Sequence, residues 1–188
     1  MENKIKRRML ALILILCFVA WSVLIYNYSP DEITEAVGVK NGYILAFIIA
    51  FLGGTSILFP IPYYLVVFTL GAGGLNPFIL GAFAGIGLMA GDSTSYLLGY
   101  HGGDILPIKL RKLFMKTTNW CLRCSYKLIF FVFLLYGSII PIPNDLITVP
   151  MGLGKYPYWK VVIPLGIGNI IFNILVALAG FYGWGSFF

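Results

Sequence analysis

Charge is what this chain has least of. Only 11% of its 188 residues are Asp, Glu, Lys or Arg, where a soluble domain carries about a quarter. That scarcity, with 60% hydrophobic residues, excludes an ordinary water-soluble fold and points to an integral membrane protein. The length leaves no room for a separate soluble domain. Histidine is nearly absent too, with one residue, His101, and cysteine numbers three. Cys121 and Cys124 in "NWCLRCSY" form a Cys-x-x-Cys. A zinc site would need two further ligands, and no metal is expected. A quinone-linked thiol oxidoreductase would need a second cysteine pair. Arg123 and Lys127 would lower a thiolate pKa there, so redox chemistry stays as a minor alternative. No nucleotide-binding glycine loop, Ser/His/Asp set or paired acids is visible, so the chain is not read as an enzyme. No cofactor and no nucleic-acid partner is expected.

The charges that exist are sorted by position. "MENKIKRRML" is basic, and residues 9–26 follow without a charge, long enough to span once. A cleavable signal would have a shorter apolar run and a small-residue cleavage site. Residues 1–28 are therefore read as a retained anchor helix with its N-terminus in the cytoplasm. Residues 27–42 hold Asp31, Glu32 and Glu35 against Lys40, which suits the outer side. Residues 109–127 hold Lys109, Arg111, Lys112, Lys116, Arg123 and Lys127 and no acid, which is the cytoplasmic signature.

Pro-Ile-Pro occurs twice inside apolar sequence, at 60–62 and 141–143. A proline lacks a backbone donor and clashes with the preceding turn, so each should break a helix. In lipid, broken backbone is tolerated only where protein or a wet cavity surrounds it. With the two sites superposed, at an offset of 81 (60 to 141), the match runs on without a gap. Leu65 meets Leu146, Gly71 and Gly73 meet Gly152 and Gly154, and Gly85-Ile86-Gly87 meets Gly166-Ile167-Gly168. Leu97, Gly99 and Gly102 then meet Leu178, Gly180 and Gly183. This reads as an internal duplication.

Charge decides how the copies sit. If both 43–74 and 77–100 spanned, residue 109 would lie outside, against its six basic neighbours. If 43–74 instead enters and returns, the count works, and 128–154 repeats the manoeuvre from the other face. The expected fold class is an all-α membrane protein, an inverted-topology repeat with two opposed re-entrant loops plus transmembrane helices. The units are 43–103 for repeat 1, 104–127 for a basic amphipathic connector and 128–188 for the inverted repeat 2. Kinked full spans are the alternative. The connector suits an interface with anionic headgroups, or is a plain link obeying topology.

Ionisable groups inside the apolar segments are costly. Asp92, with Gly81, Gly85, Ser95 and Gly99, lies on one helix face. Asn173 and Asn169, between Gly166 and Gly180, form the matching stripe on the last helix. Asp92 either pairs with Asn173 across the helix contact as a structural bond or lines a pathway. Asn144 and Asp145, on the second break, favour a functional role. The Gly-x-x-x-Gly spacings favour packing within the chain over dimerisation.

The order of four blocks resembles the DedA or SNARE-associated Golgi family, also called the VTT-domain family, over about residues 43–183. The blocks are Pro60-Ile61-Pro62 with "TLGAGGLNPF", then "GDSTSYLLGYHGG", "PIPNDLITVPMGLGKYPYWK" and "LGIGNIIFNILVALAGFYG". The resemblance implies re-entrant loops and lipid translocation, of undecaprenyl phosphate in prokaryotic members and of phospholipids in scramblase-like relatives. Thr55 and Ser56 stand where bacterial members commonly carry an acid, and Gly137, Ser138 and Asn144 where they carry arginines. A passive lipid pathway is therefore expected over proton-coupled transport. The breaks at Pro60, Pro62, Pro141 and Pro143 would bring free backbone groups to the midplane. Asp92, Asn144, Asp145, Asn169 and Asn173 would line the path, and Lys155 and Lys160 would attract the headgroup at the inner mouth. Membrane lipids are the expected partners in a prokaryotic plasma membrane, and a homo-oligomer is compatible with this reading. A non-transporting scaffold is the rival.

Overall fold

The structure, a computed structural model, describes residues 16, 19–55, 62–102, 108–139 and 142–187. Most of the anchor (1–15 and 17–18), Pro60 and Pro141 lie outside the described residues. Every regular element among those described is a helix. α1 covers 19–27, and then come α2 (Pro30–Val37), α3 (Val39–Gly54), α4 (Tyr63–Ala72) and α5 (Pro77–His101). α6 (Ile108–Arg123), α7 (Tyr126–Ile139), α8 (Asp145–Leu153) and α9 (Trp159–Phe187) follow.

Local chemistry sets these boundaries. Ser29 caps α2 in a reciprocal box, its hydroxyl accepting from the Glu32 N–H at 3.2 Å while the Glu32 carboxylate accepts from the Ser29 N–H at 2.9 Å. α2 ends at Gly38, whose φ of +80° few other residues adopt. The chain bends there by 96° into α3. Asn76 caps α5 by accepting from the Phe78 and Ile79 N–H groups, with Pro77 at the first helical position.

Length separates two kinds of helix. α5 and α9 each offer 25 residues long and apolar enough to cross a membrane, and the bent pair α2–α3 is the third candidate. α4, α7 and α8 have 10, 14 and 9 residues, about 15, 21 and 14 Å at 1.5 Å per residue. None reaches across a hydrocarbon core of about 30 Å. α3 and α4 fold back as a hairpin: Gly53, at the end of one, packs on Tyr63 at the start of the other, and Gly42 packs on Leu70 and Leu75.

α5 and α9 form the centre. Gly81 and Gly85 lie on Ile174 and Ile170, and Gly166 lies on Met89. As one number rises the other falls, so the helices are antiparallel. The second arm of each half then crosses the long helix of the other. Gly71 of α4 packs on the Ala177 carbonyl of α9, and Gly152 of α8 on the Tyr96 carbonyl of α5. Gly180 meets the Phe68 carbonyl as Gly99 meets that of Val149. Each pair differs from its mate by the same offset of 81 (71 to 152, 96 to 177). The turns after α4 and α8 agree as well: Gly74 and Lys155 both take positive φ, at 83° and 53°. The stripe of small residues thus serves packing inside one chain. Gly87 and Gly91 lie against the Phe47 and Phe51 carbonyls of α3.

Two short amphipathic helices extend the match beyond the sequence-drawn units. Thr34 of α2 lies under Gly73, and Thr118 of α6 under Gly154. The Thr118 hydroxyl also donates to the Pro150 carbonyl at 2.6 Å. The connector 104–127 is therefore more than a link, because α6 packs on α8 as α2 packs on α4. Outward stripes such as Ile163, Ile167, Ile171 and Leu175 on α9 are exposed and apolar, as a lipid-facing surface requires.

Candidate functional site

The second break sits where α8 begins against both long helices, and four of the predicted residues meet there. Asn144, at the N-cap of α8, donates from Nδ2 to Asp92 Oδ2 of α5 at 2.7 Å and to Asn169 Oδ1 of α9 at 2.9 Å. Asn169 Nδ2 donates to the same Asp92 oxygen at 2.8 Å. Asn173 Nδ2 donates to the Asn169 carbonyl at 2.8 Å. All four are buried, Asp92 to 1% exposure and Asn173 to 0%. Removing a carboxylate from water costs several kcal/mol, and hydrogen bonds to a charged group return about 1.5–3 kcal/mol each. Asp92 Oδ2 collects two such bonds, while Asp92 Oδ1 and Asn173 Oδ1 have no hydrogen-bond partner among the described residues. The cluster is polar, enclosed and incompletely satisfied.

The sequence expectation is corrected in two respects. Asp92 does not pair with Asn173; it bonds Asn144 and Asn169, because the crossing brings the α8 cap between the long helices. Ser95 leaves the presumed stripe and donates to the Gly54 carbonyl of α3 at 3.3 Å. The Tyr136 hydroxyl donates to the Pro143 carbonyl at 3.1 Å, and the Asn144 carbonyl accepts from the Ile147 and Thr148 N–H groups. The amide side chains of Asn144 and Asn169 make this site polar.

Asp145 follows Asn144 in the first turn of α8 and is half-buried. Lys155 and Lys160 are exposed and stand beyond the far end of α8, away from Asn144. Lys155 Nζ lies 5.6 Å from the Tyr100 ring and Lys160 Nζ 5.0 Å from that of Tyr126. The structure does not bring these lysines to the buried cluster.

Tyr63 was missed. It starts α4, packs on Gly53 and lies beside Asn173. The offset of 81 places it on Asn144 (63 to 144), so the repeat already held the signal. Tyr136 gave no such signal, because its partner is a carbonyl that only the break presents.

The cysteine pair behaves otherwise than its basic neighbours suggest. Cys121 is a buried free thiol in α6, among Tyr96, Ile129, Met151 and Tyr156. Burial, and then Cys124 beside it, pushes its pKa up to about 11, opposite to the lowering expected from Arg123 and Lys127. Such a thiol is a poor nucleophile at neutral pH.

With this geometry in view, one comparison decides the family. A model of the VTT domain matches residues 59–182. The chain belongs to the VTT-domain family, the DedA or SNARE-associated Golgi family. No curated protein and no solved structure matches it. The VTT match takes in both Pro-Ile-Pro segments, α5, most of α9 and all four residues of the buried cluster. It fits an integral membrane protein of a family commonly linked to membrane transport.

Proposed function

We propose that this VTT-domain protein moves a phosphate-bearing lipid, a polyprenyl phosphate or a phospholipid, between leaflets. The headgroup passes along the seam where α8 meets α5 and α9 while the tail stays in lipid. The observation that carries this reading is the Asp92–Asn144–Asn169 cluster at a broken helix. Polar groups at membrane depth belong to functional sites by default, and a discontinuous helix is where transporters hold polar cargo.

The antiparallel α5 and α9, each crossed by the short arm of the other half, support an inverted repeat with two opposed re-entrant hairpins. In that arrangement the acidic α2 faces outward and the basic α6 faces the cytoplasm, with the N-terminus cytoplasmic in a prokaryotic plasma membrane. The cluster is shut in this structure, so passage requires α8 to part from α5. Lys155 and Lys160 draw anionic headgroups to the inner face.

The test is reconstitution with fluorescent phospholipid or polyprenyl phosphate, with and without a pH gradient. Headgroups should cross faster than in empty vesicles without needing the gradient. Asn144→Ala should cut that rate about tenfold or more, since it strips a donor from a buried carboxylate. Crossing equal to empty vesicles over the lipid panel removes the proposal.

The mutual bonding of Asp92, Asn144 and Asn169 also favours a second reading, a scaffold whose polar cluster only holds the fold. Under it, Asn144→Ala with Asp145→Ala lowers thermal stability and leaves no lipid flux to lose.

A further inference from the structure

A second site lies at the opposite end of α8 from the buried cluster. A cavity of about 430 Å3 opens between the last turns of α5 and the α8–α9 turn, lined by Tyr96, Leu97, Tyr100, His101, Lys155 and Tyr158 among others. Lys155 holds a left-handed φ of 53°, which an L side chain adopts at a cost. Its counterpart at the offset of 81 is Gly74, at 83° (74 to 155). A strained lysine kept where a glycine sits freely directs attention to its side chain.

That side chain stands over Tyr100, and the other walls are fixed by bonds of their own. The Tyr96 hydroxyl donates to the Tyr156 carbonyl, and that of Tyr158 donates to Ser93 Oγ at 2.8 Å. The Tyr96 and Tyr158 rings meet edge to face at 5.2 Å. The other half lacks the cation and the imidazole. Ala177, Phe181, Tyr182, Gly74 and Pro77 stand where Tyr96, Tyr100, His101, Lys155 and Tyr158 stand here.

We propose that this cavity binds the phosphate of a membrane lipid before translocation, an inference that rests on the lipid-handling reading above. Lys155 supplies the positive charge, while Tyr100 and Tyr158 pack against the ester end of the headgroup; the His101 ring forms part of the wall, its Nδ1 donating to the Leu97 carbonyl at 3.1 Å. A lipid is the occupant because the cavity wall at Leu97 continues into the exposed apolar face of α5 through Leu98, which gives a tail a path outward. Because the counterpart positions lack the cation, headgroups are captured at one end of the molecule only.

The purified full chain, with dioleoyl phosphatidic acid, dioleoyl glycerol or dioleoyl phosphatidylcholine as probe, tests this by counting retained lipid in native mass spectrometry. Phosphatidic acid should be retained over the uncharged glycerolipid. Lys155→Gly should lower that retention about fivefold while the melting temperature holds or rises, since glycine relieves the backbone; Lys155→Arg should keep most of it. Unchanged retention in Lys155→Gly overturns the proposal. So does displacement by millimolar inorganic phosphate, which would make free phosphate the ligand. Phosphatidylcholine held as firmly and independently of Lys155 overturns it too. If the wild type retains phosphatidic acid through Lys155 yet moves none, the translocation reading falls and the binding site stands.

Discussion

Residue 63 and residue 144 occupy the same place in their halves, at the start of a short helix that crosses the other half's long one. One is a tyrosine beside Asn173; the other is an asparagine bonded to Asp92 and Asn169. The turns that end those short helices repeat the contrast, with Gly74 in one and Lys155 in the other. What the halves share is carbon and backbone: glycine against carbonyl, turn against turn. What they do not share is charge and hydrogen-bonding capacity. A duplicated frame tolerates almost nothing at its crossings, where a Cβ would collide with backbone, and leaves the cap and turn positions free to diverge. In the proposed function that divergence makes one face the capturing face and one break the polar one.

The comparison breaks most decisively on sidedness. Single cysteines at positions 74 and 155 should react with an impermeant maleimide from opposite faces of a sealed vesicle; labelling of both from one face ends the inverted arrangement. A large effect is also expected at the crossings. Gly71→Val and Gly152→Val each press a side chain into a backbone carbonyl, so both should lose about 3 kcal/mol or more, or fail to fold. Thermal unfolding in detergent measures this, and a tolerant Gly71 beside an intolerant Gly152 would show that the halves do not pack alike.

The smallest effect concerns the thiols of α6, which its counterpart α2 does not have. The pKa of Cys121, raised to about 11 in the fold, means the folded chain holds that proton where the unfolded chain has released it. Its contribution to stability is therefore full below about pH 9 and fades as pH climbs to about 11. Melting curves from pH 8 to 10.5 should show this decline in the wild type and its loss in Cys121→Ser. Lipid movement should be unchanged in Cys121→Ser/Cys124→Ser, and any loss there revives the thiol-oxidoreductase alternative.

Much of the frame was legible because lipid restricts the chain so severely. Apolar length located α5 and α9. The offset of 81 picks out Gly71, Gly152, Gly99 and Gly180 from the sequence, and each of them meets a backbone carbonyl. Less legible were the partners. Matching stripes make Asn173 one candidate partner for Asp92, yet helix periodicity gives a face and no neighbour. α6 was read as a connector because it is basic, and its role under α8 rests on Thr118, a residue with no marked pattern around it. Tyr136 reaches a carbonyl that exists as an acceptor only because the helix stops at Ile139.

The sequence by itself determined that this is an integral membrane protein, that Pro-Ile-Pro recurs at an offset of 81 and that the packing glycines recur with it, since each follows from composition or spacing along one chain. Only the tertiary structure decided that Asn144 bridges Asp92 and Asn169, that Cys121 is buried, and that Lys155 overhangs an aromatic cavity. Those are meetings between segments remote in sequence, and where two helices cross is fixed by how closely their backbones approach in space.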